Sequence, residues 1–185
     1  GTTFTSTNKV LGKVEGIDGI KTGFIYESGY NYALTCIRNN TRIISIIMGG
    51  PGQNSIEGNK FRIIDSSLLT EWFYSYYHNV MLEQDNYNVN VFLGTTNATK
   101  LIPSSSSLIT LPKSDDKLTV KKNIPQYVNA PIKVGEQLGS LEYYLGNTLV
   151  KTVPLVSDRN INKSNSIKVM IDKIVRIFYK FSFTN

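Results

Sequence analysis

The sequence predicts an α+β domain, then a small all-β domain, then a C-terminal amphipathic helix. Three observations predict that order. Residues 1–50 carry turn-bounded apolar runs and are followed by a long stretch with apolar residues three and four apart. Residues 86–157 switch to short runs that alternate apolar and polar. The tail from Ser166 returns to helical spacing, with apolar and basic residues on opposite faces.

Ile17 to Ile25 reads as a first strand and Gly29 to Ile37 as a second, across the turn Glu27-Ser28-Gly29. Asn39-Asn40 makes a tight turn into Thr41 to Met48, whose β-branched run suits a central, well-buried strand. Gly49-Gly50-Pro51-Gly52 breaks the sheet. A helix follows over about Asn54 to Tyr77, with Phe61, Ile64, Leu68, Leu69, Trp72 and Phe73 as its apolar positions. The aromatic cluster around Trp72 reads as core packing. These elements make up a first region, residues 1–82.

The second region, residues 86–160, contains strand candidates Val89–Leu93, Ser107–Leu111, Leu118–Ile124, Gln137–Leu145 and Thr148–Leu155. Gly146-Asn147 joins the last two as a hairpin. The expected form is a sandwich of two packed sheets. Asn160 to Asn165 is a polar linker. In the tail, residues 166–185, Ile167, Met170, Ile171, Ile174, Ile177, Phe178 and Phe181 share one face, opposite Lys168, Asp172, Lys173, Arg176 and Lys180.

Composition narrows the function classes. Hydrophobic residues at 41% against 18% charged exclude a disordered chain. The net charge of +6 favours an anionic partner. No arginine-rich, aromatic-laced groove is present, which argues against nucleic acid. Cys36 has no second cysteine to pair with and reads as a small buried hydrophobe. His78 reads as a surface residue after the helix. No run is apolar enough to span a membrane. Gly1-Thr2-Thr3-Phe4 reads as the interior of a longer chain.

The informative stretch is Gly16-Ile17-Asp18-Gly19-Ile20-Lys21-Thr22-Gly23-Phe24. Lys21-Thr22-Gly23 resembles the third motif of the penicillin-recognising serine enzymes, and that resemblance implies a role for each residue. Lys21 offers an ammonium to a substrate carboxylate and a nucleophile, and Thr22 offers a hydroxyl to the same carboxylate. Gly23 lets an extended ligand lie against the strand. On the same resemblance the Phe24 N–H would serve as half of an oxyanion hole.

With Gly12–Asn31 around it and Arg42-Ile43-Ile44-Ser45 downstream, this stretch resembles the low-molecular-mass penicillin-binding proteins, the serine-type D-Ala-D-Ala carboxypeptidases. The resemblance covers residues 4 to about 80. It implies that residues 1–82 are the C-terminal portion of a β-lactamase/transpeptidase-like domain, residues 86–160 the β-sandwich that follows it, and residues 166–185 a membrane-surface helix.

The implied reaction removes the terminal D-Ala from peptidoglycan pentapeptides through an acyl-enzyme and is sensitive to penicillin. The implied partners are the wall peptide, β-lactam antibiotics and the membrane surface, on the periplasmic face of the cytoplasmic membrane. No cofactor or metal is implied. Lys21 carries the catalytic role, and Lys21, Thr22, Gly23, Phe24 and Arg62 bind substrate. Arg62 takes the position of the family's carboxylate-binding arginine, counted back from Trp72.

The family's nucleophile and base, in S-x-x-K, and its S-x-N motif are expected upstream. Ser6-Thr7-Asn8-Lys9 fits both patterns formally, but it lies too near Lys21 to leave room for the intervening helices. Ser114-Asp115-Asp116-Lys117 falls in a loop. The alternative reading is a non-catalytic, membrane-associated module that binds wall peptides or partner proteins. A class A β-lactamase ranks last, because that enzyme has no following β-domain or anchor.

Overall fold

A computed structural model of the chain describes residues 1–105 and 108–181, the side chains of 178–181 excepted. Ser107, Phe183 and the side chains of Phe178, Tyr179, Lys180 and Phe181 therefore lie outside the described residues. The chain is mostly β with two long helices and divides into two compact units. Unit 1 comprises residues 1–80 and 110–113, and unit 2 the rest.

Unit 1 opens with an irregular segment and then forms an antiparallel sheet from β1 (Ile17–Ile25), β2 (Gly29–Arg38) and β3 (Thr41–Gly50), in that spatial order. Asn39 and Asn40 both adopt positive φ, the conformation a two-residue hairpin turn demands and asparagine tolerates. Helix α1 (Ser55–Tyr76) is capped by Asn54, whose side chain accepts the N–H groups of Ile56 and Glu57. It covers one sheet face, where Val10, Val14, Ile17, Tyr32, Leu34, Cys36 and Ile43 form the core.

Cys36 is buried, as its sequence context suggests. The Tyr74 hydroxyl lies 3.0 Å from the Cys36 carbonyl and 2.8 Å from that of Thr41, tying α1 to the β2–β3 turn. Burial pushes its pKa up to about 12.

Two expectations fail here. β3 is not a buried central strand but an edge of the described sheet, and Ile44, Ile46 and Met48 are 68%, 63% and 76% exposed. Its alternate residues point away from α1, and no described element covers that face. The buried stripe of α1 is also not its apolar one. Gly58, Arg62, Ser66 and Thr70 face the sheet, while Leu68 and Trp72 stay exposed. Close approach decides this: a Cβ on Gly58 would sit 2.3 Å from the Tyr30 ring.

The chain continues through β4 (Tyr77–Met81) and β5 (Tyr87–Phe92), then β6 (Ala98–Pro103), β7 (Leu108–Pro112), β8 (Leu118–Asn123), β9 (Tyr127–Asn129), β10 (Gln137–Leu145) and β11 (Thr148–Ser157). β4 pairs with β7. His78 is on the surface after the helix as expected, in strand β4.

Unit 2 contains a six-stranded sheet ordered β8-β10-β11-β6-β5-β9, in place of the two packed sheets expected. Val120 of β8 and Val128 of β9, from opposite edges, pack against the same cluster of Val89, Leu101, Leu141, Tyr143, Val153 and Leu155. The sheet therefore curls around its own core. The β10–β11 hairpin turns at Gly146, with positive φ. Helix α2 (Ser166–Phe181) ends the described chain.

Candidate functional site

The five residues singled out from the sequence line a single groove of about 620 Å³ in unit 1, together with Ser6, Thr7, Lys9, Tyr30, Ser55 and Asn59. β1 positions most of them. It pairs with β2 alone, so its outer edge is open among the described residues. In its register Thr22 lies opposite Tyr32 and Phe24 opposite Tyr30, on the face toward α1. Lys21 lies opposite Ala33, on the other face, the one that carries Ile46. The groove thus wraps an edge strand whose two faces present different chemistry.

Thr22 is buried, and its hydroxyl is 3.2 Å from that of Thr7. The exposed Lys21 ammonium donates to the Thr22 carbonyl at 2.6 Å. The Phe24 ring packs on Tyr30 with centroids 4.4 Å apart.

Arg62 is only 6% exposed. It donates to the Asn31 carbonyl at 3.2 Å, to Asn59 Oδ1 at 3.0 Å and to the Gly23 carbonyl, and its guanidinium lies over the Tyr30 ring. Burial holds its pKa below the usual arginine value. No carboxylate lies among its described hydrogen-bond partners. It is a buried cation held by carbonyls and an aromatic face, beside an open groove.

Sequence reading missed the residues that hold this arrangement: Thr7, Tyr30, Asn31 and Asn59. Two of them leave a signal. Asn59 stands three residues before Arg62 on the helix, and Tyr30 is the cross-strand neighbour of Phe24. The formal Ser6/Lys9 pair does not meet as nucleophile and base. Lys9 Nζ donates to the Ser6 carbonyl at 3.1 Å, while Ser6 Oγ accepts the Asn8 N–H at 3.1 Å. Among the described residues no acidic, His or Cys cluster could hold a metal.

Known proteins resemble this chain in sequence and in fold. Residues 77–163 match the family described as penicillin-binding protein 5, C-terminal domain. The match takes in 87 of the 185 residues. The chain as a whole is related to the low-molecular-mass penicillin-binding proteins over their C-terminal portion. It is 25% identical over 169 residues to D-alanyl-D-alanine carboxypeptidase DacA of Escherichia coli, covering 88% of this chain and 40% of that protein. It is 25% identical over 167 residues to DacF of Bacillus subtilis, covering 88% of this chain and 41% of that one.

The chain therefore spans about two fifths of the length of the curated relatives it matches. Among solved structures, penicillin-binding protein 5 from Haemophilus influenzae shares the fold. Its TM-score is 0.71 at 24% identity, over 85% of this chain and 46% of that one.

Proposed function

We propose that this chain is the substrate-strand portion, spacer domain and surface anchor of a serine-type D-Ala-D-Ala carboxypeptidase. The open edge of β1 beside Lys21-Thr22-Gly23 and the buried Arg62 carries this reading. A peptide or β-lactam laid along that edge gains backbone hydrogen bonds as an added strand. Its terminal carboxylate falls between the Thr22 hydroxyl and the Arg62 guanidinium, a buried cation for which an anion is the natural complement. The Phe24 N–H stabilises the oxyanion as the scissile carbonyl becomes tetrahedral.

The nucleophile comes from a serine supplied by the part of the protein that the relatives have beyond this match. Its hydroxyl oxygen bonds the carbonyl carbon of the penultimate residue, the amide to the terminal D-Ala breaks, and water later releases the acyl group. Lys21 lies on the face of β1 that α1 leaves open. A nucleophile served by its ammonium approaches from that side. The exposed Ile44, Ile46 and Met48 share that face and supply an apolar seat for the polypeptide that brings it.

Labelling of native membranes with a fluorescent penicillin, with the labelled band identified by mass spectrometry, tests the assignment. The expected result is a labelled species larger than 20.7 kDa that contains these peptides. Lys21→Ala in that protein should abolish labelling, and unchanged labelling of the mutant would sink the site. No label on any species containing these peptides would leave the non-catalytic module as the better reading.

The anchor reading rests on α2. Ile167, Met170, Ile171, Ile174, Val175 and Ile177 are 45–70% exposed along it. We infer that this face lies in an anionic membrane surface, with exposed Lys173 toward the headgroups. Among the described residues no helix is long and apolar enough to cross a membrane.

A further inference from the structure

An amphipathic helix beside a folded domain ordinarily turns its apolar face inward. α2 does the reverse. The residues of its described part that are half-buried are Lys168, Val169, Asp172 and Arg176, a mainly polar stripe. This stripe contacts unit 2, to which α2 itself belongs.

Asp172 is the centre of that contact. Its Oδ2 accepts the backbone N–H of Leu93 at 2.6 Å and the Lys168 ammonium at 3.0 Å. One turn further on, Arg176 donates to Asn129 Oδ1 at 3.2 Å. Burial pushes the Asp172 carboxyl up, but Lys168 and the Leu93 N–H pull it down further, so it stays charged below the usual carboxylate range.

Leu93 is shaped for the contact. It follows β5 with a φ of 65°, the left-handed region a leucine rarely enters. Its carbonyl is taken by the Ser164 N–H at 2.8 Å, just before the helix. The neighbouring Thr95 N–H donates to the Asn162 carbonyl at 2.9 Å. Leu93 thus holds the linker through its carbonyl and the helix through its N–H, and the two bonds fix where α2 leaves the domain.

The geometry points to Asp172 as a positioning residue: its bond to the Leu93 N–H latches α2 onto unit 2 by its polar side and so presents the apolar face outward before any membrane is met. The inference rests on the surface-anchor reading for its purpose, though not for its geometry. A preformed helix avoids the ordering cost that a disordered tail incurs on binding. Asp172 has the reach to do this, whereas Lys173, next in sequence, points to solvent.

The test is amide hydrogen exchange on the 185-residue chain, paired with sedimentation with phosphatidylglycerol-containing vesicles. Asp172→Ala should speed exchange of the Leu93 amide and the α2 amides about tenfold or more, with the Leu141 and Leu155 amides unchanged as a control for folding. The same variant should bind vesicles about threefold or more weakly. Asp172→Asn keeps an acceptor oxygen and should restore part of the protection, which a generally damaged domain would not show.

Equal exchange at Leu93 in the wild type and Asp172→Ala would overturn the latch. A Leu93 amide that depends on Asp172, in a wild type that ignores vesicles, would uphold the latch and remove the membrane reading instead.

Discussion

The two units treat their apolar residues in opposite ways. In unit 2 the curled sheet buries Leu101, Leu141 and Leu155 completely, and side chains from both of its edges meet in one cluster. In unit 1, among the described residues, α1 flanks one side of the sheet, and the other side shows water a row of isoleucine and methionine. A sheet with one solvated face ordinarily alternates apolar and polar residues. β3 does not: Ile43, Ile44, Ile46 and Ile47 occupy both faces. Unit 2 thus buries its apolar residues within itself, whereas unit 1 leaves one apolar face that no described element covers.

The sharpest break of that comparison is a cavity in unit 2. Leu141→Ala removes a fully buried side chain and should cost about 3 kcal/mol. Trp72, the single tryptophan, lies on α1 and reports on unit 1. Chemical denaturation followed by far-UV circular dichroism should show a lowered transition, while the Trp72 fluorescence transition stays in place. If both move together, the units unfold as one and the contrast between them is not energetic.

The complementary change in unit 1 is Gly58→Ala. Its new Cβ meets the Tyr30 ring at 2.3 to 2.4 Å, so either the helix or the ring must shift. A loss of about 2 kcal/mol is expected in the Trp72 transition. Tyr30 also packs against Phe24 and lies under Arg62, so the groove should loosen with it. A neutral effect would mean that α1 is not pressed against β2.

A smaller effect distinguishes unit 2 by pH. Asp158 is held down to about 2 by Arg159 and by hydrogen bonds from the Lys100 N–H and Thr99. Its folded pKa lies below the unfolded value of about 3.9. Its contribution is therefore complete above that value and is lost as pH falls toward 2. Asp158→Asn should cost about 1 kcal/mol at pH 7 and almost nothing near pH 2, read from thermal melts. An equal cost at both pH values would mean that the carboxylate charge plays no part.

Much of this was legible in sequence because local chemistry and tertiary structure agree. The turns at Glu27-Ser28-Gly29 and Asn39-Asn40 and the break at Gly49-Gly50-Pro51-Gly52 fix β1, β2, β3 and α1 to within a few residues. Lys21, Thr22, Gly23, Phe24 and Arg62 do meet in one groove. The failures come where pattern and partner part company. Apolar residues all round β3 and α1 mark burial without saying what buries them.

β9 carries only three residues, too few to show a period. The polar side of α2 looks solvent-facing until Leu93, far away in sequence, turns its N–H toward Asp172. The burial of Arg62 is not legible in sequence, because nothing in its neighbourhood along the chain reveals the Gly23 and Asn31 carbonyls that surround it.

The smallest expected effect is the most telling about unit 1. Ile46 already stands 63% exposed, so Ile46→Ser removes little burial and should change the Trp72-monitored stability of this chain by no more than about 0.5 kcal/mol. A buried isoleucine at the centre of a sheet would instead cost about 3 kcal/mol or more. In a protein that also carries the remaining length of the relatives, the same substitution should move toward that larger cost, because the apolar seat beside Lys21 would then be filled. A large loss in the 185-residue chain itself would show that the face is covered without any further polypeptide. It would also remove the reason for placing the nucleophile's approach on the Lys21 side of β1.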